Sequence, residues 1–456
     1  MRLLRILCAL CVPAFISACS FAPKYDRPVA PVPDAYPYPS TPAGTPAAAL
    51  PWQQFFGDER LRELITIALA NNRDLRVAVL NIEQARAQYD IRRADLLPTL
   101  GANLSRQPAS GGTPALWTVG IGTSAWEIDL FGRVRNLGEA ALAQYLGTEE
   151  GRKAAQISLI ASVANTWLSL TADEELLKIT RDTLSTREES LRLTRLRFEN
   201  GATSEIDFRL AESLAESARA TLAQLARQRA LDLDALALLL GQPVPAQFQT
   251  PGSTASITLP DVPAGLPSEV LAQRPDVRQA EQQLIAANAN IGAARAAYFP
   301  HITLTAGVGK GSPELSGLFK GGGWAWAVAP TLVQTIFDWG RNRANVEVAK
   351  TTRDIAIAQY EKAIQSAFRE VADALAGRAT FGDQLAAQAR VVNAETVRYK
   401  LSVLRYDNGV SSYLDLLDAQ RSLFVAQQTL VQTRLSQLQT QVQLYRSLGG
   451  GWSPTQ

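Results

Sequence analysis

Sulfur and imidazole are nearly missing from this 456-residue chain, which holds three cysteines, one methionine and one histidine. Every cysteine lies within the first 19 residues, as Cys8, Cys11 and Cys19, so no disulfide framework can form later in the chain. The methionine is residue 1 and the histidine is His301, which leaves almost no soft ligands for a metal relay. No metal-binding cluster, phosphate-binding glycine loop or nucleophilic triad can be read from the spacing, which argues against an enzyme and against any cofactor. Charge bias is absent too, with 45 Lys+Arg against 43 Asp+Glu, so nothing points to nucleic acid. After the first 18 residues there is no run of 18 apolar residues. A mature chain that crosses a membrane must therefore do so as a closed β-barrel, because open sheet edges are not tolerated in lipid.

What is present begins with a leader. MRLLR is basic and ILCALCVPAFISA is an apolar core too short to span a bilayer, so residues 1–18 read as a signal peptide. Ile16-Ser17-Ala18-Cys19 has the aliphatic-small-small approach of a lipidation site, which makes Cys19 the expected acylated N-terminus. The plainer alternative is an ordinary signal peptide that contains cysteine. Ser20 follows rather than Asp, favouring the outer membrane. Residues 19–57 are rich in Pro and Ala and predict an extended tether along a surface.

The remainder contains itself twice. Asp74 in NNRDLR matches Asp276 in QRPDVR at an offset of 202, and Pro98 matches Pro300 at the same offset. Phe131-Gly132-Arg133 then matches Trp339-Gly340-Arg341, and FENGATSEID matches YDNGVSSYLD, both at 208. One insertion of six residues separates the registers. The expected halves are 58–266 and 267–456.

Each half begins with a predicted helix, 58–96 or 268–297, closed by a proline. A β-hairpin follows at about 98–130 or 300–338, alternating apolar and small or polar residues. Trp117, Trp324 and Trp326 sit at strand ends, as in the aromatic girdle of a membrane barrel. A soluble hairpin packed on a core would explain either one alone. Next comes a heptad seam: Val163, Leu170, Leu177, Leu184, Leu191 and Phe198, echoed by Val371, Arg378, Leu385, Val392, Tyr399 and Tyr406. Arg378 is its one break. Turns at Gly201 and Gly409 (tips 200–204 and 408–412) reverse each long helix into a returning one. The fold class expected is mainly α with a membrane β-barrel.

Two hairpins give four strands, too few to close a barrel, since single-chain outer-membrane barrels start at about eight. Other copies must meet the open edges: two would give eight strands, filled by side chains, and three would give twelve, with room for a lumen.

Cys19 with its PKYDRP sequel, WEIDLFGRVR, FDWGRNR, LDLLDAQRSLFVAQ and LYRSLGGGW resemble the TolC-like outer-membrane factors of tripartite efflux pumps, in particular the OprM/NodT lipoprotein branch. The resemblance covers nearly all of the mature chain. It implies a homotrimer with a twelve-stranded barrel in outer-membrane lipid and a helical tunnel reaching into the periplasm. It also implies a periplasmic adaptor and an inner-membrane RND-class transporter as partners. It places Asp415 and Asp418 at the narrow periplasmic gate, where rings of three carboxylates would raise one another's pKa. It gives Tyr406 and Asp207 as a latch between hairpins, though Ser411 stands where a second latch uses arginine. Gly201 and Gly409 become adaptor-docking tips.

Local chemistry offers other readings. Ser412 with Asp415 resembles a capping box, repeated by Ser204 with Asp207. Asp418 has Leu210 as its counterpart and an i,i+3 partner in Arg421. Export of proteins or metal ions, or a trimeric lipoprotein that conducts nothing, are the alternative functions.

Overall fold

The computed structural model describes residues 21–38, 45–109, 111, 114–265, 267–320 and 323–452. The leader and Cys19 lie outside the described residues. In chain order the elements are α1 (Trp52–Phe55), α2 (Glu59–Asn71), α3 (Arg73–Ala94), β1 (Gly101–Gln107), β2 (Leu116–Glu127), α4 (Arg133–Glu199) and α5 (Glu205–Leu240). After these come α6 (Pro267–Gln273), α7 (Pro275–Ala296), β3 (His301–Ser312), β4 (Ala325–Val333), α8 (Arg341–Asp407) and α9 (Tyr413–Ser447). Helices α4 and α8 have 67 residues each and start 208 positions apart. At about 1.5 Å per residue each is roughly 100 Å long.

The chain divides into two compact units. The second holds Pro31–Val79, Gly151–Val277 and the residues from Ile364 onward. Its core surrounds Trp167, which is 1% exposed and donates its indole N–H to Asp58 at 2.9 Å. Phe55 stacks on Tyr445 with ring centres 3.9 Å apart, and the Tyr445 hydroxyl donates to the Leu50 carbonyl at 2.6 Å. Trp52, Phe55 and Phe56 are buried here, so the expected tether of 19–57 is wrong at its C-terminal end. Three large aromatics give that short segment enough apolar area to dock, which its Pro/Ala composition had hidden. The heptad's break is also resolved: the Arg378 guanidinium pairs with Asp261 at 3.0 Å.

The single helices expected over 58–96 and 268–297 are each two helices. They break at Asn72 and before Pro275, and the reason is the same in both halves. Asn72 turns extended, its side chain accepts from the Leu75 N–H, and its amide donates to the Leu239 carbonyl at 2.9 Å. Arg274, 202 residues on, precedes a proline that opens the next helix and donates to the Ser447 carbonyl at 2.8 Å. Leu239 and Ser447 are themselves 208 apart, so one interaction is built twice. In each half the break residue satisfies a terminal carbonyl of the returning helix, a group that helix geometry leaves without a partner. Arg274 is buried and also held by Asp276 at 2.6 Å and Glu370 at 2.8 Å.

The first unit holds Leu80–Glu150 and Arg278–Ala363 with the N-terminal stretch to Ala30. That stretch is strapped to α7: Arg27 forks onto Glu281 at 2.7 and 2.8 Å, and Asn288 donates to the Pro23 carbonyl. The two hairpins join through β2 and β3 into one antiparallel sheet of order β1-β2-β3-β4, leaving β1 and β4 as edges. Register puts Ala102, Ile121, Val308 and Trp326 in one row, and Leu304 and Ile302 on the same face. The opposite face carries Asn103, Ser105, Thr118, Thr303 and a block of four glycines, with Gly120 opposite Gly309 and Gly122 opposite Gly307.

Those glycines show which way the sheet curls. A Cβ on Gly122 would lie 2.4 Å from the Ala306 carbonyl oxygen, and one on Gly309 would lie 2.4 Å from that of Val119. Real Cβ atoms essentially never come within 3.0 Å of such an atom. Here backbone crowds the glycine face, so that face is concave and the apolar face convex. A bulge between Thr123 and Trp126, with Ala125 at φ +51°, adds to the bend. Gly101 shares the concave face but has nothing within 4 Å of its would-be Cβ. We expect Gly122→Ala to reduce the yield of assembled oligomer severalfold on size-exclusion chromatography while Gly101→Ala leaves it unchanged. Equal behaviour of the two would mean that the curl does not depend on the glycine block.

Candidate channel gate

The residues expected at the gate lie in the second unit, where α4 turns into α5 and α8 into α9. Both turns close by the same geometry. Gly201 (φ +69°) donates to the Phe198 carbonyl and Ala202 to that of Arg197; Gly409 (φ +72°) and Val410 do likewise to Tyr406 and Arg405. This is a Schellman ending, in which the left-handed residue is glycine because a Cβ would be strained there. Ser204 and Ser412 then cap the returning helices. Around Ser412 the capping box is complete: its hydroxyl accepts from the Asp415 N–H while the Asp415 carboxylate accepts from the Ser412 N–H. Asp415 is therefore a helix-start residue.

Asp207 does the same work in the first half. Its carboxylate accepts from the hydroxyls of Ser204 at 2.8 Å and Thr203 at 2.9 Å. The Ser204 hydroxyl bond is the main reason that its pKa lies below the usual carboxylate range, against a smaller opposing push from burial. Within the chain the latch expected between Tyr406 and Asp207 is not made. The Tyr406 hydroxyl instead accepts from the Arg197 guanidinium, which also lies 5.4 Å from the tyrosine ring centre. Two hydroxyls three and four residues away both donate to Asp207 Oδ2, while the phenol takes the Arg197 guanidinium as its donor. Burial is the first cause of a raised Tyr406 pKa, so the phenol stays protonated at neutral pH.

Seven residues before Arg197, Ser190 shares a 2.7 Å hydrogen bond with the Tyr413 hydroxyl, and Arg187 sits over the Phe424 ring at 5.1 Å. Arg187, Ser190 and Arg197 thus tie the first helical hairpin to the second in three successive steps. Reading each repeat alone misses them, because none occupies an apolar heptad position. Their signal is spacing: 190 and 197 are one heptad apart.

Asp418 lies between two arginines, accepting from Arg398 on α8 at 2.5 Å and from Arg421 at 2.8 Å. The i,i+3 pair expected with Arg421 is present, and Arg398 is the added partner. The Arg398 hydrogen bond, against an opposing push from desolvation and with a smaller contribution from Arg421, holds the Asp418 pKa below its ordinary value. The upward shift expected from a carboxylate ring is opposed in the chain by these two cations. Beside them an open groove of about 1310 Å³ is lined by Val397, Leu401, Leu404, Val410 and Leu414, with Asp415 and Asp418 at its wall. Far along the chain, Trp117 lies on β2, Trp326 on β4 and Trp324 just before β4.

A family model described as outer membrane efflux protein matches residues 64–242 and 266–450, one segment in each half of the repeat. The chain belongs to that family. It is 47% identical over 464 aligned residues to the toluene efflux pump outer membrane protein TtgC of Pseudomonas putida, covering 98% of this chain and 96% of that one. To the outer membrane protein OprJ of Pseudomonas aeruginosa it is 44% identical, covering 97% and 95%. Among solved structures, the open state of the Neisseria gonorrhoeae MtrE outer membrane channel superposes with a TM-score of 0.87 at 43% identity, over 95% of this chain and 98% of that chain. The fold is that of the TolC-like outer membrane channels.

Arg197→Ala and Tyr406→Phe remove the same bond. In planar bilayers each should raise the open fraction of the channel, and the double variant should exceed either single by little. Fully additive effects would sink the link between them.

Proposed function

We propose that this chain is the outer-membrane duct of a tripartite efflux pump, a passive, gated homotrimer that receives substrate from a periplasmic adaptor and an inner-membrane RND-class transporter. One observation carries the reading: a four-stranded sheet, apolar on its convex face and glycine-lined on its concave face, ends in two open edges. Three such sheets joined edge to edge supply twelve strands and a wettable interior, which the sheet alone cannot. In this arrangement Trp117 and Trp324 belong to the interfacial girdle, Trp326, further in along the strands, faces the hydrocarbon, and acylated Cys19 anchors the N-terminus in the same membrane. The adaptor's helical hairpins dock near the turns at Gly201 and Gly409. The gate consists of Asp418 with Arg398 and Arg421, and of Tyr406 with Arg197; Asp415 and Asp207 hold the tips in shape. Relatives named for toluene and antibiotic efflux favour small, largely apolar cargo over proteins.

Deleting the gene in its host, with the partner pump expressed, should raise susceptibility to organic solvents and antibiotics, and the intact gene should restore resistance. Unchanged susceptibility to every class tested would overturn the efflux reading. A trimer that stays silent in bilayers even as Asp418→Ala with Tyr406→Phe would favour a structural lipoprotein instead.

The depressed Asp418 pKa fixes the sign of a pH effect. The carboxylate, and its pairing, persist above the ordinary carboxylate range and are lost only as pH falls through the lowered folded value. Asp418 should therefore stay ionised, and the gate's conductance independent of pH, from neutral pH down past the usual carboxylate range. In Arg398→Ala with Arg421→Ala the loss should move to higher pH. An identical pH profile in that variant would refute the role given to the two arginines.

A further inference from the structure

The convex sheet face is not apolar from end to end. Its rows, read from the loop end, are Arg106–Trp117–Ser312, then Leu104–Val119–Lys310, then Ala102–Ile121–Val308–Trp326. The rows at the helix end, Trp126–Leu304–Pro330 and Ile302–Leu332, hold no basic side chain. At the loop end each cation is set against a tryptophan: the Arg106 guanidinium lies 5.4 Å from the Trp117 ring centre and the Lys310 ammonium 5.4 Å from that of Trp324. Among the described residues no carboxylate pairs with either. Across residues 98–126 and 300–333, Glu314 is the only acid. Its carboxylate accepts from the Ser316 hydroxyl.

Distance puts these cations at a boundary. From Ser312 to Ile302 is ten residues of β3, roughly 34 Å at about 3.4 Å per residue. Tilted by about 40°, that covers roughly 26 Å of height, close to the ~25 Å apolar band of an outer-membrane barrel. If the Ile302 row marks one edge of the hydrocarbon, the Arg106 row marks the other. Lys310 is one row inside and reaches that edge by extending its stem. A cation at mid-depth would cost about 2–4 kcal/mol, whereas at the edge it costs about 0–1 and is free to meet an anion.

We propose that Arg106 and Lys310 bind the phosphate groups of the phosphorylated glycolipid in the leaflet that meets the loops, with Trp117 and Trp324 holding the two cations at headgroup depth. This rests on the outer-membrane channel reading, which sets which leaflet the loops face. Charge complementarity selects the occupant. The bare cations sit only at this end, so the two leaflets are recognised differently, one through anionic headgroups and the other through apolar contact alone.

The test uses the purified full-length trimer in a neutral detergent, titrated with bisphosphorylated lipid A or with its dephosphorylated form, with the melting temperature as readout. The phosphorylated lipid should raise it by several degrees and the dephosphorylated lipid should not. Arg106→Gln with Lys310→Gln should abolish the shift, while Arg106→Lys with Lys310→Arg should keep it. Equal shifts from both lipids on the unaltered protein, or a full shift in the glutamine variant, would overturn the proposal. The lipid comparison on the unaltered trimer decides the matter even where a variant fails to assemble. Bilayer conductance of the same preparation separates this failure from failure of the channel reading: a conducting trimer indifferent to phosphate loses the lipid site alone.

Discussion

In hydrocarbon, a backbone N–H or C=O without a partner costs several kcal/mol, and an open strand edge presents a whole row of them. The sheet has two such edges, β1 and β4, one at each end of an otherwise paired array. No side chain can satisfy a row of backbone groups in lipid, so the edges must find other strands, and the only strands of matching length and pleat belong to further copies. For those copies to meet, the sheet must bend. Gly120, Gly122, Gly307 and Gly309 allow this by removing the Cβ atoms that would otherwise strike the neighbouring backbone. The chemistry of the two faces then follows from curvature: convex and apolar toward lipid, concave and small or polar toward the lumen.

The helical part obeys the same duplicated plan, and its divergences are where function gathers. Phe198 and Tyr406 are one position in the two halves. The first stacks on Phe208 with rings 5.5 Å apart, an apolar contact, while the second offers a hydroxyl to Arg197. Ser190 and Arg398 are likewise one position, and both reach α9, the former through Tyr413 and the latter through Asp418. Conversely, Asp207 and Asp415 stayed alike because both keep a helix start in order. Shared chemistry marks construction, and altered chemistry at an equivalent position marks new contacts, between the halves at Ser190 and Tyr406 and within the second half at Arg398.

Much of this could be read before any coordinates. The 202 and 208 offsets place the long helices, the returning helices and the tips, because packed helices cannot absorb an insertion without losing register. Prolines and alternation place the strands. The breaks at Asn72 and Arg274 were hidden because apolar periodicity carries straight through them; what stops each helix is a bond to a carbonyl over 160 residues away. The core role of Trp52, Phe55 and Phe56 was hidden by the prolines around them. At the gate, the residue types were legible but the pairing was not. Asp207 was expected to serve Tyr406, yet it bonds the hydroxyls beside it and Tyr406 bonds Arg197, a pairing that spacing between repeats cannot express.

The arginines around Asp418 also bear on how such a gate can open at all. Arg398 is shared between Asp418 across the hairpin and Glu395 on its own helix, while Arg421 holds Asp418 from within α9. Separating α8 from α9 breaks the Arg398–Asp418 bond alone, and both charges retain a partner three residues away. Exposed pairs of this kind are worth about 0–1 kcal/mol each. Three copies in a trimer therefore resist opening by no more than a few kcal/mol, about the differential binding that moves a two-state equilibrium from mostly closed to mostly open. A buried, unshared pair would lock the tip beyond the reach of a docking partner. In the proposed gate, shared surface pairs of this strength leave opening within the reach of a docking partner.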